Sequence, residues 1–321
     1  MAGTKIQKVS FSLKRALEIV MRRWQLAKST GTILACIATL SACSPVKQQI
    51  KQDSTIDENL QVVVDSLLRQ QMQELGAISG RAIVMEVQMG EVTPSVGNDS
   101  ILQESGLTRA ATLFSALETG KVKLSDTVNT GRGELVIGTD TLRDHNWHRG
   151  GYGEQTVMQS FGVASNIASY LIAKKAFGNG VDFAKTLAKY GYQVKDTSMV
   201  YNPIGYGIPT IPMQNAKFFN TIARRSLANE AVADSMSMVM EHSVTEGLAK
   251  PAASDKVRVA GTTGTIRLAE DEYVAEFCGF FPAEKPQYTI LVSINKKGLP
   301  VSGGQMAGSV FSQIVDYMVA P

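Results

Sequence analysis

Cysteine is scarce in this chain, and the positions of the few cysteines exclude a disulfide-stabilised fold. Only three occur among 321 residues. Cys36 and Cys43 fall in an N-terminal leader, which leaves Cys278 alone in the rest of the chain. An exported protein with one remaining thiol has no internal disulfide framework. Cys278 lies in an apolar run, so we expect a small buried side chain rather than a nucleophile.

Histidine is equally scarce, which argues against a metal centre. His145 and His148 lie close together in the chain, and the third histidine is the distant His242. A zinc site would need a third protein ligand at a suitable distance from the first two. The sequence also offers no cofactor-binding motif, so we expect neither a metal nor a cofactor.

Long hydrophobic runs are missing as well. The apolar stretch over residues 33 to 40 is far shorter than the roughly 20 residues of a membrane-spanning helix. Seven basic residues and one acidic residue precede or flank it, an order that predicts an export signal over residues 1 to 43. The signal ends in Leu40-Ser41-Ala42-Cys43, where a bacterial lipoprotein would be cut and acylated, so we expect lipidation of Cys43. A start at Met21 would give this leader ordinary proportions, and we favour that start.

An excess of positive charge is absent once the leader is set aside. The whole chain carries +3, with 32 basic and 29 acidic residues, but residues 44 to 321 contain 25 basic and 28 acidic residues. The mature chain is therefore slightly acidic, and its charge gives no reason to expect a nucleic-acid partner. We expect the protein to be located in the cell envelope and to contact a membrane through its lipid. The sequence leaves open whether this is the inner or the outer membrane.

The rest of the chain divides into a short polar segment and one domain. Residues 44 to 54 are polar with almost no apolar pattern, which predicts a flexible tether. Residues 55 to 321 are long enough to bury a sizeable core. Hydrophobic spacing predicts helices over residues 55 to 72, 107 to 118, 157 to 176, 182 to 190, 213 to 227, 231 to 245 and 305 to 319, and strands over residues 81 to 87, 257 to 260, 273 to 281 and 288 to 295.

Strands at both ends with helices between them predict an α/β fold of the α+β type, in which the terminal segments share one sheet. Several segments in this order resemble the transpeptidase domain of penicillin-binding proteins, which has a β-lactamase-like fold with a mainly antiparallel sheet and a helical cluster. The resemblance covers nearly all of residues 55 to 321. It is carried by the runs at residues 55 to 61, 80 to 91, 204 to 207, 212 to 223, 259 to 265 and 279 to 283.

In that family, a serine and a lysine in an SxxK motif open a helix, and the serine attacks the peptide carbonyl. The corresponding segment here is one residue short, so two alignments stay open. One places Leu107 and Ala110 at the Ser and Lys positions, and the other places Gly106 and Arg109 there. Neither alignment restores the pair, and arginine cannot act as a neutral base. Thr108 is the only hydroxyl of this segment that could serve as an alternative nucleophile.

The two other family motifs are altered too. The SxN motif becomes Ala164-Ser165-Asn166, which loses the first serine and keeps the asparagine that binds substrate peptide. The KTG motif becomes Thr262-Thr263-Gly264, followed by Thr265, which loses the lysine. The resemblance implies substrate-binding roles for Asn166, Thr263, Gly264 and Thr265, and degenerate catalytic positions at Leu107, Thr108, Arg109, Ala164 and Thr262.

Two further matches to SxxK carry little weight. Ser44 and Lys47 lie in the tether, and Ser293 and Lys296 lie on a predicted strand, where side chains three apart face opposite ways. The loop of residues 144 to 149 has two interpretations. It is either a solvated structural loop or, because the resemblance puts it near the mouth of the substrate groove, a contact for peptide or glycan.

The selective loss of reactive groups leads to three functional hypotheses. The first is a lipid-anchored, catalytically impaired relative that binds peptidoglycan stem peptides or cell-wall synthesis proteins. The second is an active D,D-transpeptidase in peptidoglycan cross-linking that uses a non-standard nucleophile such as Thr108. The third is a structural scaffold for envelope enzymes that binds no peptide.

Overall fold

The computed structural model describes residues 46 to 97, 102 to 226 and 229 to 320. The predicted signal over residues 1 to 43, the start at Met21, the lipidation site Cys43 and the accidental match at Ser44 lie outside the described residues. The chain divides into the units Met1–Ile56 and Asp57–Pro321, and the fold below is that of the second. No helix of the described part combines the length and apolar character needed to cross a bilayer.

A long helix, α1, opens the described chain and differs from the sequence prediction at its start. It extends over Val46–Leu75, so helical backbone begins within the segment predicted as a tether. Leu60, Val64 and Leu68 are buried along one face of α1, as the spacing of its apolar residues predicts. Whether residues 44 to 54 act as a tether stays a prediction.

A five-stranded antiparallel sheet forms the centre of the described residues. Its order is β2-β1-β11-β10-β9, so the N-terminal hairpin pairs with the three C-terminal strands through β1 and β11. This confirms that the terminal segments share one sheet. The strands are β1 Ser79–Glu86, β2 Val92–Val96, β9 Ala260–Ala269, β10 Glu272–Phe281 and β11 Tyr288–Lys297.

Shorter strands and the helices lie between the two halves of this sheet in the chain. Paired short strands are β3 Gln103–Glu104 with β8 Pro209–Thr210, β4 Thr127–Asn129 with β7 Glu154–Thr156, and β5 Glu134–Ile137 with β6 Asp140–Arg143. The helices after α1 are α2 Thr108–Glu118, α3 Val157–Gly162, α4 Asn166–Phe177, α5 Gly180–Ala188, α6 Pro212–Ala223, α7 Glu230–Thr245 and α8 Ser309–Met318, with a π-helical turn over Gly304–Gly308 before α8.

Both faces of the sheet are buried, because successive side chains of a strand point to opposite faces. On β1, Ile83 and Met85 belong to the core formed with the central helices. Ala82 and Val84 belong to a second core, formed with α1 and α8. The helices therefore fix β1, β10 and β11 from both sides, while β9 forms one edge of the sheet.

Besides α1, three elements show the main differences from the sequence predictions. The strand predicted over residues 257 to 260 begins only at Ala260 and runs to Ala269, which places the third motif inside an edge strand. The helix predicted over residues 157 to 176 is interrupted between α3 and α4. The closing helix begins as a π-helical turn, and its regular α-helical part starts at Ser309.

Candidate active-site cleft

A polar cleft of about 340 Å³ lies where the first turn of α2, the start of α4 and the edge strand β9 approach one another. Three of its lining residues come from the altered motifs of α2 and α4: Arg109, Ala164 and Asn166. Thr263 and Thr265 line it from β9. The other lining residues are His145, Leu248, Val301, Ser302, Gly303 and Gly304.

Arg109 and Asn166 form the polar centre of the cleft. The Arg109 Nη2 donates a hydrogen bond of 2.9 Å to the Asn166 Oδ1, and the Asn166 Nδ2 donates one of 2.8 Å to the Arg143 carbonyl. Both ends of the Asn166 amide are thus engaged within the protein. Burial lowers the pKa of Arg109 to about 10, against the opposing attraction of Asp144 and Tyr206. The guanidinium still carries its charge at neutral pH.

The remaining candidates of the first motif do not reach the cleft. Leu107 and Ala110 are fully buried in the core between sheet and helices. Thr108 is also fully buried, and its hydroxyl donates a 2.8 Å hydrogen bond to the Ser105 carbonyl. Because Arg109 is the residue of this segment that lines the cleft, the geometry fits the alignment with Gly106 at the serine position and Arg109 at the lysine position.

Gly106 lies directly against β9. A methyl group built on Gly106 would stand 2.8 Å from the Gly264 Cα and 2.8 Å from the Thr265 nitrogen, which are both backbone atoms. A methyl group on Gly264 would in turn lie 2.8 Å from the Leu107 nitrogen. The start of α2 and the edge strand are therefore packed too closely for any side chain at position 106.

The third motif is divided between the two faces of β9. Thr263 and Thr265 face the cleft, and the Thr265 hydroxyl accepts a 3.1 Å hydrogen bond from the Gly303 N–H. Thr262 is 3% exposed and lies opposite Cys278, so it shares a face with the core rather than with the cleft. Cys278 is fully buried, as predicted, and burial raises its pKa well above the usual value.

The second motif sits in the break between α3 and α4. Ala164 adopts a left-handed backbone, with φ of 52°, which is uncommon for a residue with a side chain. The Ser165 N–H donates to the Ser160 carbonyl across this turn, at 2.9 Å. The Ser165 hydroxyl then caps α4 by accepting from the Ala168 N–H at 3.0 Å. Ser165 therefore has a structural role and lies outside the cleft lining.

Asp144 fixes the start of α4 and was not identified from the sequence as a helix cap. Its carboxylate is 1% exposed and accepts hydrogen bonds from the Ser165 hydroxyl and from the N–H groups of Asn166 and Ile167, at 2.7 to 3.1 Å. An acid directly before a histidine-rich loop gives no signal for a cap more than 20 residues away. Asp144 therefore has a structural role, in agreement with the interpretation of residues 144 to 149 as a structural loop.

His145, the next residue, lines the cleft and keeps the other interpretation open. Its ring lies 3.0 Å from the Tyr152 hydroxyl through Nε2. Burial, together with the nearby cations Arg149 and Arg109, lowers the pKa of His145 against the attraction of Asp144. Burial therefore favours the neutral form of this imidazole. Within the described part of the chain, no cluster of three potential metal ligands occurs.

A buried polar network underlies the contact between Gly106 and β9, and sequence reasoning missed it. The Ser105 hydroxyl donates to the Glu276 Oε2 at 2.6 Å and accepts from the Asn215 Nδ2 at 2.9 Å. The Tyr192 hydroxyl donates to the Asn215 Oδ1 at 2.9 Å. Burial raises the pKa of Glu276 to about 7, although hydrogen bonds from Ser105, the Gly106 N–H and Ser293 oppose the rise. The sequence signal that could have revealed this network is Glu276, a glutamate inside an otherwise apolar strand.

Comparison with known proteins gives a consistent picture. The model of the penicillin binding protein transpeptidase domain matches residues 109 to 316. Stage V sporulation protein D of Bacillus subtilis is 22% identical over 349 residues, covering 85% of this chain and 54% of the relative. Penicillin-binding protein PbpB of Mycolicibacterium smegmatis is 22% identical over 352 residues, covering 83% and 54%. The chain thus spans about half the length of these relatives.

Solved structures show the same fold. The transpeptidase domain of Burkholderia pseudomallei penicillin-binding protein 3 superposes with a TM-score of 0.71 at 21% identity, covering 82% of this chain and 94% of that chain. A peptidoglycan glycosyltransferase from Burkholderia ambifaria superposes with a TM-score of 0.70 at 21% identity, covering 81% and 95%. Both superpositions support the predicted β-lactamase-like arrangement of an antiparallel sheet and helices.

Proposed function

Because this chain belongs to the penicillin-binding protein transpeptidase domain family, we propose that it serves peptidoglycan synthesis as a lipid-anchored envelope protein that binds stem peptides without cleaving them. The cleft lies between the three family motifs, as a peptide-binding groove of this family would. It keeps Asn166, Thr263 and Thr265 on its walls. The reactive serine and lysine have no counterparts there, so the binding is non-covalent.

The close contact between Gly106 and Gly264 is the observation that carries this proposal. Acyl transfer requires a nucleophilic oxygen at the start of α2, and the backbone of β9 occupies the space that its side chain would need. Arg109 takes the position of the proton-accepting lysine, and a guanidinium stays protonated. Neither half of the nucleophile pair can therefore operate in this geometry.

An active transpeptidase that uses Thr108 has weaker support. A nucleophile needs access to the substrate and a base within hydrogen-bonding distance. Thr108 is fully buried and its hydroxyl donates to a backbone carbonyl. This alternative predicts penicillin acylation that disappears in Thr108→Ala.

Labelled penicillin distinguishes the two proposals. Protein purified in detergent from expressing cells is incubated with a fluorescent penicillin, denatured and separated by mass. We expect no covalent adduct after an incubation that labels an active penicillin-binding protein completely. A stable adduct formed within minutes would refute the non-catalytic proposal, and its loss in Thr108→Ala would establish the alternative.

A scaffold that binds no peptide is the third possibility, and it is tested separately. Pull-down of the protein with isolated peptidoglycan measures binding in the wild type and in Asn166→Ala. The proposal predicts weaker retention of the variant, because Asn166 holds Arg109 in the cleft. Equal retention of both proteins would favour the scaffold.

A further inference from the structure

A second groove lies between the turn that follows α5 and the first two turns of α6, and we call it the α6 groove. Lys189 and Tyr190 line it from the turn, and residues between Ile211 and Thr221 line it from α6 and the position before it. Its volume of about 450 Å³ is within the range of ligand-binding sites. No residue lines both this groove and the cleft between α2, α4 and β9, so the two sites are separate.

The floor of the α6 groove is apolar and continuous with the core. Phe218 is 5% exposed and belongs to the core between the sheet and the central helices. Tyr190 packs edge-on against Phe218 and Phe114, with ring centroids 5.8 and 5.4 Å away, respectively. Ile211 and Met213 add partly buried apolar side chains. An apolar side chain of a partner placed on this floor would be removed from water on several sides.

Hydrogen bonds fix the side chains that shape the α6 groove. The Tyr190 hydroxyl donates to the Glu118 carboxylate. The Gln214 Nε2 donates to the Gly191 carbonyl at 2.7 Å, and its Oε1 accepts from the Thr210 hydroxyl at 2.9 Å. Side chains that are already held in place lose little conformational entropy when a partner binds, so the groove is preorganised.

The charged side chains that line the α6 groove are both positive. Lys189 and Lys217 are exposed, one on each of the two segments that form the groove. Among the described residues, neither ammonium group takes part in an ion pair. Arg224, two helical turns after Lys217 on the same side of α6, adds another exposed cation. The acid beside the floor, Glu118, is partly buried and already engaged by Tyr190.

We propose that the α6 groove docks a short acidic segment of a partner protein. A large apolar side chain of that segment lies on the aromatic floor, and carboxylates on both sides of it contact Lys189 and Lys217. The buried apolar anchor supplies most of the binding free energy in such an interface, and the opposite charges select the partner and speed its association. This inference goes beyond the proposed function, because it concerns a protein partner and a site outside the cleft.

The shape and the charge of the groove together favour this occupant. The positive rim is a local feature, because residues 44 to 321 contain 28 acidic and only 25 basic residues. A flat anionic membrane surface would match the lysines but would leave the recessed floor unfilled. An uncharged apolar segment would fill the floor but would leave the attraction of the lysines unused.

Peptide selection followed by titration tests this site. The full chain, purified in detergent, selects binders from a display library of random short peptides. The enriched peptides are synthesised with blocked ends, labelled and titrated by fluorescence anisotropy. The proteins are the wild type, the double variant Lys189→Glu with Lys217→Glu, the matched charge variant Lys285→Glu with Lys297→Glu, and Thr221→Trp. Lys285 and Lys297 are exposed and lie outside the groove.

We expect the wild type to enrich peptides in which a large apolar residue has acidic neighbours on both sides, and the matched charge variant to bind them equally well. The variant with Glu at positions 189 and 217 should bind at least roughly 10-fold more weakly, because attraction becomes repulsion. Thr221→Trp should lose at least as much, because an indole ring at this half-buried position fills the groove without changing its charge. Alanine in place of the apolar residue of the peptide should have the same effect. Thermal unfolding without peptide checks that each variant is folded.

Three outcomes would overturn the proposal. The first is that the wild type enriches no peptide, or only peptides without acidic residues. The second is equal affinity of the wild type and of the charge-reversed or groove-filled variant for the selected peptides. The third is that the wild type enriches no such peptide but binds vesicles containing anionic phospholipid through Lys189 and Lys217, which would assign the lysines to a membrane surface.

This test and the pull-down with isolated peptidoglycan fail independently. A protein that selects acidic peptides through the α6 groove but is not retained by peptidoglycan would refute the proposed function alone. A protein that is retained by peptidoglycan but selects no acidic peptide would refute this inference alone.

Discussion

Two residues at the start of α2 set the chemical limits of this protein. Gly106 brings the backbone of α2 into contact with β9, and Arg109 fills the cleft with a permanent charge. Each change would by itself remove part of a serine–lysine pair. The proposed non-catalytic function rests on these two residues together.

A serine at position 106 should damage the fold rather than the specificity. The new side chain meets two backbone atoms at 2.8 Å, so α2 and β9 must separate. We expect Gly106→Ser to lower the free energy of unfolding by about 1 to 3 kcal/mol, the usual cost of overpacking. Urea denaturation followed by circular dichroism measures the change.

Gly162→Ala is the control for this substitution. A methyl group at Gly162 would first meet the movable His242 side chain, at 3.3 Å, so its effect should be small. A Gly106→Ser protein as stable as the wild type would show that the strand and helix can separate freely. A penicillin adduct on such a protein would contradict the proposed reason for inactivity.

Glu276 should make stability depend on pH. Burial raises its pKa from 4.5 to about 7, so the folded state binds the proton more tightly than the unfolded state. The stabilisation is complete below pH 4.5 and is lost as the pH rises through 7. We expect this carboxyl to lower the free energy of unfolding by about 3 kcal/mol between pH 4.5 and 8.

Urea denaturation at several pH values in that range isolates the contribution of Glu276. Glu276→Gln should lose this part of the pH dependence, whereas the exposed Glu154→Gln should keep it. Identical pH profiles for the wild type and Glu276→Gln would exclude Glu276 as the source. The buried hydrogen bonds of Ser105 and Asn215 should remain in the Gln variant, because an amide can also accept from Ser105.

At the scale of secondary-structure elements, the break between α3 and α4 shapes the cleft wall. A continuous helix over residues 157 to 176 would carry Ala164 and Asn166 away from Arg109 on a regular spiral. The turn at Ala164 instead presents both residues to the cleft. Asp144 and Ser165 stabilise this turn by accepting hydrogen bonds from the free N–H groups at the start of α4.

Asp144→Asn should therefore weaken α4. The amide retains one oxygen but loses the charge that favours a helix N-terminus, and it introduces a donor facing other donors. We expect a loss of about 1 to 2 kcal/mol in the free energy of unfolding, measured by urea denaturation. Asp182→Asn, in the first turn of α5 and exposed, should cost less than about 0.5 kcal/mol. Equal losses in the two variants would contradict a special role for Asp144.

The sequence predicts elements better than the connections that bring them together. Apolar spacing locates α2, α7, β10 and β11 closely, because burial of one face produces the pattern. The break at Ala164 escapes prediction because the spacing of apolar residues does not report its causes. These are the hydrogen bonds from the start of α4 to Asp144 and the turn that bonds to the Ser160 carbonyl. The continuation of β9 beyond Ala260 escapes because residues 261 to 265 are small and polar, without the alternation that identifies a strand.

Site residues were predictable to the extent that a family motif marks them. Asn166, Thr263 and Thr265 were identified by their motifs and do line the cleft. The choice between the two alignments of α2 could not be made from a segment with one residue missing. It depends on which side chains face the core, and that is a property of the packed helix.

At the scale of the whole molecule, the sheet joins the N-terminal strands of the domain to its C-terminal strands. Helix α1 precedes the first of these strands in the chain. β1 follows α1 directly and is held between β2 and β11. Any anchor on the N-terminal side of α1 would therefore be connected along the chain to a strand that is paired on both sides. The lipid expected at Cys43 would act through this connection.

Cys43→Ser tests the anchor. We expect the wild type to incorporate a labelled fatty acid and to sediment with membranes, and the variant to do neither while remaining exported. Labelling of growing cells followed by fractionation measures both properties. Cys278→Ser is the control, since Cys278 is buried in the core and should not affect labelling. A Cys43→Ser protein that still incorporates the fatty acid would refute lipidation at this position.

Under the proposed function, the contact between Gly106 and Gly264 also determines what a change to catalysis would require. Where only side chains are missing, substitutions can replace them one at a time, and each intermediate protein still folds. Here the main chains of a helix and an edge strand must first move apart, and a new serine is harmful until they do. Replacing Arg109 by lysine would add a reactive group beside a space that is closed. The inactivity proposed for this protein is thus a property of its backbone, and side-chain substitution alone would not reverse it.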